Sequence, residues 1–238
     1  MFWRAMIPDA GTAVMAGGLG LVWGLALAAA VAHLRRRGVR IPYTRKIFHF
    51  GIFTAAAGVH AAWGLPGTNS YGAAVAALVL AAVLLGEGNG LFEALARETD
   101  RPRRGLFVVV PLVATAVGGL AAALWTGPFA AVGYLVAGWG DAVGEPVGTR
   151  WGRHPYSVPS LAGVPAVRTL EGSLAVFLVA WLAAALTLRT LGVTGAPLVG
   201  ISFACALGAT AVEAVSNHGT DNLTVQLAAS GIAWILLA

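Results

Sequence analysis

The sequence predicts an all-α protein, a polytopic integral membrane bundle of about seven or eight transmembrane helices. Hydrophobic residues make up 58% of the 238 residues and charged residues only 11%, well below the roughly 25% charged content that is usual in soluble domains. Apolar runs near the roughly 20 residues that a helix needs to cross a bilayer recur along the chain. We therefore expect a single membrane-embedded domain over residues 1–238.

Eight apolar runs are expected to form the spanning helices. The first is not a typical secretory signal, because its positive cluster, Arg35 to Arg37, follows the apolar part, so we expect it to remain as a helix. The fifth run is short, and we expect it to break or re-enter where polar residues begin near Gly140. The runs cover residues 11–33, 47–63, 70–86, 105–125, 128–140, 172–190, 195–213 and 222–238.

The positions of Lys and Arg predict the orientation. With eight spans, all of them except Arg4 and Arg189 fall on one side of the membrane, and this side is expected to face the cytoplasm of a prokaryote, across its plasma membrane. The net charge of +5 suits a surface near anionic lipid or a polyanionic substrate. The sequence contains no basic and aromatic soluble domain, which disfavours a nucleic-acid partner.

Polar residues concentrate between Gly140 and Gly172, directly after an apolar run. Asp141 and Glu145 are one helical turn apart there, so both carboxylates can share a helix face. Two negative charges at such a distance are unfavourable without a cation, and carboxylates near a membrane are costly and usually functional. Mg²⁺ meets this need, because it prefers oxygen ligands and often bridges carboxylates to substrate phosphates.

Glycines and cations follow these acids in the same segment. Gly148 and Gly152 permit a close approach of the backbone to a ligand, and the cations can surround phosphate oxygens. Each feature alone also fits a purely structural explanation, namely a turn for the glycines and ordinary cytoplasmic-loop charge for the cations. The cations are Arg150, Arg153, His154 and Arg168.

Two further segments on the same predicted side carry ionisable groups. If residues 43–50 are helical, Arg45 and His49 share a face and Lys46 points to a neighbouring one, although a basic anchor at the membrane surface explains them equally well. Glu213 and Asp221 flank the turn before the last run; they can act as a metal ligand or a base, or simply as a helix-end charge and an N-cap. The mixed-charge segment 87–104 is expected to be a solvated loop or an interfacial helix.

The sequence contains no P-loop, no kinase glycine-rich loop with its lysine, no hydrolase elbow and no zinc-ligand spacing. Any phosphate chemistry must therefore use another cradle. Phosphoryl transfer needs a metal ion, positive charge around the transferred group and an aligned acceptor. The polar segments supply residues of these kinds.

Four stretches of the sequence resemble the polyprenol kinase family of membrane lipid kinases. They are RKIFH at 45–49, GDAVGEPVGTRWGRH at 140–154, RTLEGS at 168–173 and DNLTV at 221–225, and they occur in the family's order. The family includes phytol, farnesol and dolichol kinases and a CTP-dependent diacylglycerol kinase, and it is distantly similar to phosphatidate cytidylyltransferases.

The resemblance implies a kinase that uses CTP, or a related nucleoside triphosphate, to phosphorylate a lipid alcohol. It assigns Arg45, Lys46, Asp141 and Gly148 to the nucleotide site, as in the family. The chain departs from the usual phytol kinase pattern at two positions, with Gly144 in place of Ala and Glu145 in place of Asp. Glu145 keeps the negative charge of the usual Asp on a longer side chain.

The resulting hypothesis places a Mg²⁺ ion, CTP and a lipid alcohol at one site. Asp141, Glu145 and Asp221 are the expected metal ligands, and Asp141, Asp221 and Glu213 the catalytic acids, with Asp221 or Glu213 accepting the hydroxyl proton. Cytidylyl transfer to a lipid, a diacylglycerol kinase and a small-solute transporter remain alternatives, and phytol, geranylgeraniol, farnesol and dolichol remain open as the alcohol. The expected nucleotide contacts are Arg45, Lys46, His49, Gly148, Arg150, Arg153, His154, Arg168, Thr169, Glu171 and Asn222.

Overall fold

The computed structural model describes residues 6–161, 164–217 and 219–238. These residues form eight α-helices, two short 3₁₀ segments and one β-hairpin, so the predicted helical bundle is confirmed. The chain divides into two compact units, Met1–Leu112 and Val113–Ala238. The bounds are α1 (Ala10–Arg36), α2 (Ile41–Leu85), α3 (Gly90–Leu95), α4 (Leu106–Thr126), α5 (Ala130–Trp151), β1 (Pro155–Leu161), β2 (Val164–Thr169), α6 (Leu170–Thr190), α7 (Gly195–Val215) and α8 (Asp221–Leu237).

Five helical stretches in the described residues are long and apolar enough to cross a membrane, which confirms the expected class of integral membrane protein. Two of them have 45 and 46 residues, more than twice the roughly 20 residues that one crossing needs. The apolar helix α8 is shorter, with 17 residues. The five stretches are Ala10–Arg36, Ile41–Leu85, Leu106–Trp151, Leu170–Thr190 and Gly195–Val215.

Helix α2 reverses its direction near its middle. Gly64 adopts φ 59° and ψ −153°, a left-handed backbone conformation that glycine reaches without a steric penalty. The Tyr71 hydroxyl donates to the Ile52 carbonyl over 3.0 Å, although residues 19 positions apart lie about 28 Å apart in a straight helix. The two parts of α2 therefore pack against each other and match the second and third predicted runs.

A second reversal separates α4 from α5. Gly127 has φ 58° and opens the 3₁₀ segment Gly127–Phe129 between the two helices. The Tyr134 hydroxyl donates to the Gly119 carbonyl over 2.9 Å, which brings residues 15 positions apart side by side. The long apolar stretch over Leu106–Trp151 is thus a hairpin of two helices, matching the fourth and fifth predicted runs.

Glycine allows close helix packing in the first unit. A Cβ atom on Gly20 would lie 2.6 Å from the Tyr71 carbonyl oxygen, so α1 can approach this part of α2 only where a side chain is missing. Buried apolar residues from α1 and α2, including Val31, Val59 and Val75, belong to the hydrophobic core of this unit. Such close approach of backbones is typical of helices in membranes, where small residues line the interfaces.

The second unit places α6 against α5, α7 against α6, and α8 against both α7 and α5. Helix α5 continues through Trp151, so the expected break near Gly140 is wrong. The reason lies in a glycine at every fourth position, Gly140, Gly144, Gly148 and Gly152. A Cβ atom on Gly144 would lie 2.7 Å from the Val176 Cγ2 atom, and this stripe lets α6 support the polar end of α5.

A short antiparallel hairpin, β1 and β2, joins α5 to α6, and the sequence analysis did not predict it. Pro155 pairs with Thr169 and Tyr156 with Arg168. The chain then enters α6, where the Thr169 hydroxyl accepts from the Gly172 amide over 3.1 Å as an N-cap. The hairpin therefore fixes the position of Arg168 two residues before the start of α6.

Candidate active site

A small cleft with a cavity volume of about 10 Å³, room for about one water molecule, lies among α5, α6, α7 and α8 in the second unit. Three carboxylates line it, those of Asp141, Glu213 and Asp221, together with the Asn222 amide. The other lining side chains are small and apolar. The cleft thus combines an acidic end with an apolar wall.

Arg168 joins two of these acids. Its Nη1 atom contacts the Glu213 Oε1 atom, and its Nη2 atom lies 3.0 Å from the Asp221 Oδ2 atom. Nη2 also donates to the Ser216 carbonyl over 3.2 Å. The arginine fork holds the end of α7 to the start of α8, since a planar guanidinium can bind two acceptors at once.

Glu213 is buried, with 5% of its surface exposed. Arg168 occupies its Oε1 atom, while its Oε2 atom is buried and has no hydrogen-bond partner in the part of the chain that the structure describes. A buried polar atom without a partner is costly. The Glu213 Oε2 atom is therefore ready to accept a hydrogen bond from a ligand in the cleft.

Asp221 uses both carboxylate oxygens within the protein. Its Oδ1 atom accepts from the Gly219 amide over 3.2 Å and from the Asn222 amide over 2.9 Å, and its Oδ2 atom accepts from Arg168. These contacts place it at the first turn of α8, where a negative charge also interacts favourably with the helix dipole.

The described residues contain no group of three or more His, Cys, Asp or Glu side chains that could hold a metal ion. Mg²⁺ does not require such a cage, because one or two carboxylates and the phosphates of a substrate often hold it. Asp141 lines the cleft, where a single carboxylate could serve such an ion together with substrate phosphates. Glu145 follows Asp141 by one turn of α5, as the sequence predicted.

Glu171, an expected nucleotide contact, secures the loop between α5 and β1. Its Oε2 atom accepts from the Arg153 and His154 amides over 3.1 and 3.3 Å. Its Oε1 atom lies 2.6 Å from the His154 Nδ1 atom. The predicted group of Arg153, His154 and Glu171 is thus brought together by the fold, with the carboxylate holding the loop.

Gly148 lies inside α5 and faces the start of α6. A Cβ atom there would lie 2.9 Å from the Thr169 Oγ1 atom, so the position needs glycine for helix packing. Arg150 is exposed at the end of α5, with its guanidinium carbon 5.2 Å from the centre of the Trp151 ring. This pair presents a positive charge to the surroundings.

The first unit carries the expected basic contacts on the opening turns of α2. Lys46 is 5% exposed, which differs from a freely hydrated anchor residue. The neighbouring Thr44 hydroxyl donates to the Ala94 carbonyl over 2.8 Å, joining α2 to α3. The His49 ring packs against the Phe53 ring with centroids 4.4 Å apart, while Arg45 is half-buried on the same turn as Lys46.

Helix α8 carries a polar stripe, of which the sequence analysis found only Asn222. The Asn222 Nδ2 atom donates to the Thr115 hydroxyl over 3.0 Å, and the Gln226 Nε2 atom donates to the Thr115 carbonyl over 3.3 Å. Ser230 continues the stripe one turn later, with its hydroxyl donating to the Gln226 carbonyl. The spacing of four residues in an otherwise apolar helix was the available signal.

Comparison with known proteins supplies the family. A curated phytol kinase of Synechocystis sp. is 33% identical to this chain over 192 residues, which cover 80% of the chain and 78% of the relative. The chain belongs to the polyprenol kinase family. The resemblance predicted from the four sequence stretches is thereby confirmed. No family model matches the chain, and no solved structure matches it.

Proposed function

We propose that the protein transfers the γ-phosphoryl group of CTP to the hydroxyl of a membrane-soluble isoprenoid alcohol, such as phytol, geranylgeraniol or farnesol. The relationship to a phytol kinase over most of both chains carries this proposal. A cleft with an acidic end and an apolar wall supports it, because such an alcohol has one hydroxyl at the end of a hydrocarbon chain.

The cleft wall matches the hydrocarbon part of this substrate. Its side chains are aliphatic and add no hydrogen-bonding group, so they favour a carbon chain over a sugar or a free nucleoside. The acids at the other end would receive the hydroxyl. The aliphatic residues are Val136, Ala137, Val176, Ala209 and Val225.

The roles of the charged residues follow from the needs of phosphoryl transfer. Asp141 would hold Mg²⁺ together with the nucleotide, and the ion would offset the negative charge of the transferred group. Arg45 and Lys46 are proposed as phosphate contacts on the family resemblance, and Arg150 and Arg153 on their charge. Glu213 and Asp221 are the candidates for accepting the hydroxyl proton.

We further propose that the chain crosses the plasma membrane eight times with the acidic cleft at the cytoplasmic side. The reversals at Gly64 and Gly127 support eight helical legs, including α8, whose 17 residues span about 26 Å. The grouping of Lys and Arg supports the orientation. Cysteine labelling from each side of sealed vesicles, after removal of Cys205, tests it.

The decisive assay uses the purified protein in liposomes with CTP labelled with ³²P at the γ-phosphate. We expect label in the lipid fraction with phytol, geranylgeraniol or farnesol, and competition by unlabelled CTP more strongly than by ATP or UTP. Label released as pyrophosphate would indicate cytidylyl transfer. Label only with diacylglycerol would replace the alcohol class, and no label with any lipid would reject a kinase.

Asp141→Asn tests the metal role. We expect kcat to fall by at least about 100-fold, because the amide oxygen carries no net charge with which to hold Mg²⁺. The matched control is Asp9→Asn, since Asp9 is an exposed N-cap of α1 and Asn also caps helices well. Wild-type turnover in Asp141→Asn would reject the metal assignment.

A further inference from the structure

The proposed function leaves two acids as candidates for the proton acceptor, and the geometry points to one of them. We infer that the Glu213 Oε2 atom accepts the proton of the substrate hydroxyl, that Arg168 positions Glu213 through its other oxygen, and that Asp221 anchors Arg168. This inference rests on the proposed function and assigns distinct roles to three neighbouring charges.

The first observation concerns which oxygen is open to a ligand. Glu213 lines the cleft, and its buried Oε2 atom lacks a hydrogen-bond partner among the described residues. Ala209, one turn earlier on α7, lines the same cleft and is fully buried. A hydroxyl that enters the cleft beside Ala209 would meet the Glu213 carboxylate, and Oε2 is the oxygen left to accept its hydrogen bond, as a general base requires.

The second observation removes Asp221 from the competition. Two backbone amides donate to its Oδ1 atom, and Arg168 donates to its Oδ2 atom. A substrate hydroxyl that used either oxygen would have to compete with these donors. Asp221 is therefore suited to hold the turn before α8 and the guanidinium, and less suited to receive a proton.

The third observation explains how Glu213 is oriented. One nitrogen of the Arg168 fork holds Glu213 Oε1 and the other holds Asp221 Oδ2, so the carboxylate plane of Glu213 is fixed with Oε2 left over. Arg168 itself lies in β2 opposite Tyr156 of β1, and this strand pairing fixes its backbone.

The reaction step balances with these groups. The substrate O–H bond breaks as its proton moves to Glu213 Oε2, and the alcohol oxygen forms a bond to the γ-phosphorus. The bond between that phosphorus and the β–γ bridging oxygen breaks, and CDP leaves with the electron pair. The proton passes from Glu213 to water after the product departs.

Glu213→Gln and Asp221→Asn separate the two acids in the liposome assay. We expect Glu213→Gln to lower kcat by about 10²–10⁴-fold, with the KM for CTP within about twofold of wild type. We expect Asp221→Asn to lower kcat less than about tenfold and to lower the Tm. Equal losses in the two variants, or normal turnover in Glu213→Gln, would overturn the inference.

A shorter acid covers the case in which Glu213→Gln does not fold. Glu213→Asp keeps the charge for Arg168 and withdraws the free oxygen from the cleft, so kcat should fall while CTP still raises the Tm. Normal kcat in Glu213→Asp would also overturn the inference. If the wild-type protein labels no lipid at all, the proposed function fails instead, and the two failures are distinguishable.

Arg168→Lys tests the positioning role against the nucleotide contact that the sequence predicted. A lysine can hold one carboxylate but cannot span two, so we expect kcat to fall by about 10- to 100-fold with little change in the KM for CTP. A rise in KM with unchanged kcat would mean that Arg168 binds the nucleotide, and it would overturn the positioning role.

Discussion

Two arginines bind more than one carboxylate each, Arg104 in the first unit and Arg168 in the second, and the exposure of their partners differs. Arg104, in the first unit, contacts the carboxylates of Glu87, Glu93 and Glu98 at 3.1, 2.8 and 3.0 Å. The side chains of these acids are 61%, 28% and 52% exposed. Water therefore completes the solvation of this cluster, and its ion pairs act as a staple for the segment between α2 and α4.

The Arg168 cluster in the second unit is drier. The side chains of Glu213 and Asp221 are only 6% and 11% exposed, and one guanidinium offsets two negative charges. Burying charge is expensive, and breaking a buried pair costs far more than breaking an exposed one. The number of ion pairs around an arginine therefore does not identify a functional site, whereas burial of the paired acids beside a cleft is typical of one.

Removing each arginine should show this difference most strongly. Arg168→Gln removes the guanidinium that contacts both buried carboxylates, and we expect a loss of about 3–5 kcal/mol in the free energy of unfolding. Arg104→Gln, the matched control, should cost about 1 kcal/mol, because its exposed partners can hydrate. Thermal or denaturant unfolding in detergent, followed by tryptophan fluorescence, measures both.

A double variant sharpens the interpretation. If uncompensated charge is the cause, Arg168→Gln combined with Glu213→Gln should regain part of the lost stability, because only one buried carboxylate remains. No recovery would mean that the guanidinium stabilises the turn before α8 mainly through the Ser216 carbonyl. Equal losses in the two single variants would contradict the comparison itself.

The drier cluster also depends on close packing of α8 against α5. A Cβ atom on Gly133 would lie 2.5 Å from the Gln226 carbonyl oxygen, and main chain cannot give way as a side chain can. We expect Gly133→Ala to cost about 1–3 kcal/mol and to lower turnover. In Gly200→Ala, the control on α7, the added Cβ meets nothing within 4 Å, so stability should be unchanged or slightly raised. Equal Tm values in the two variants would argue against this packing role.

The spans could be predicted from the sequence because the signal is local. An apolar run can be recognised from its own composition alone. The predicted runs match α1, both parts of α2, and α4 to α8. The reversal in α2 was also foreseeable from the gap between two runs, which contains Gly64 and Pro66. The extension of α5 to Trp151 was not foreseen, because the polar residues there suggested a break, whereas close packing against α6 maintains the helix despite Pro146.

The site was predicted only in part, because its geometry depends on contacts between distant residues. The acids were found from their positions at helix ends, but Arg168 and Asp221 are 53 residues apart, and no local pattern pairs them. The hairpin strands contain Pro155, Pro159 and Pro165, which are unusual in strands, and the repeated glycines near the end of α5 were interpreted as a ligand cradle at Gly148. Their spacing of four residues was the signal for helix packing.

The smallest expected effect concerns the exposed ion-pair cluster around Arg104 and its dependence on pH. The Arg104 guanidinium lowers the pKa of Glu93 from its ordinary value of 4.5, chiefly through their hydrogen bond. Because the pKa is lower in the folded state, the stabilisation is present above pH 4.5 and is lost as the pH falls through the folded value. Wild type should therefore exceed Glu93→Gln in Tm at pH 7, and the difference should shrink below pH 4.5. A difference that stays constant over this range would mean that the charge of Glu93 contributes nothing, and that even the exposed cluster is held by packing.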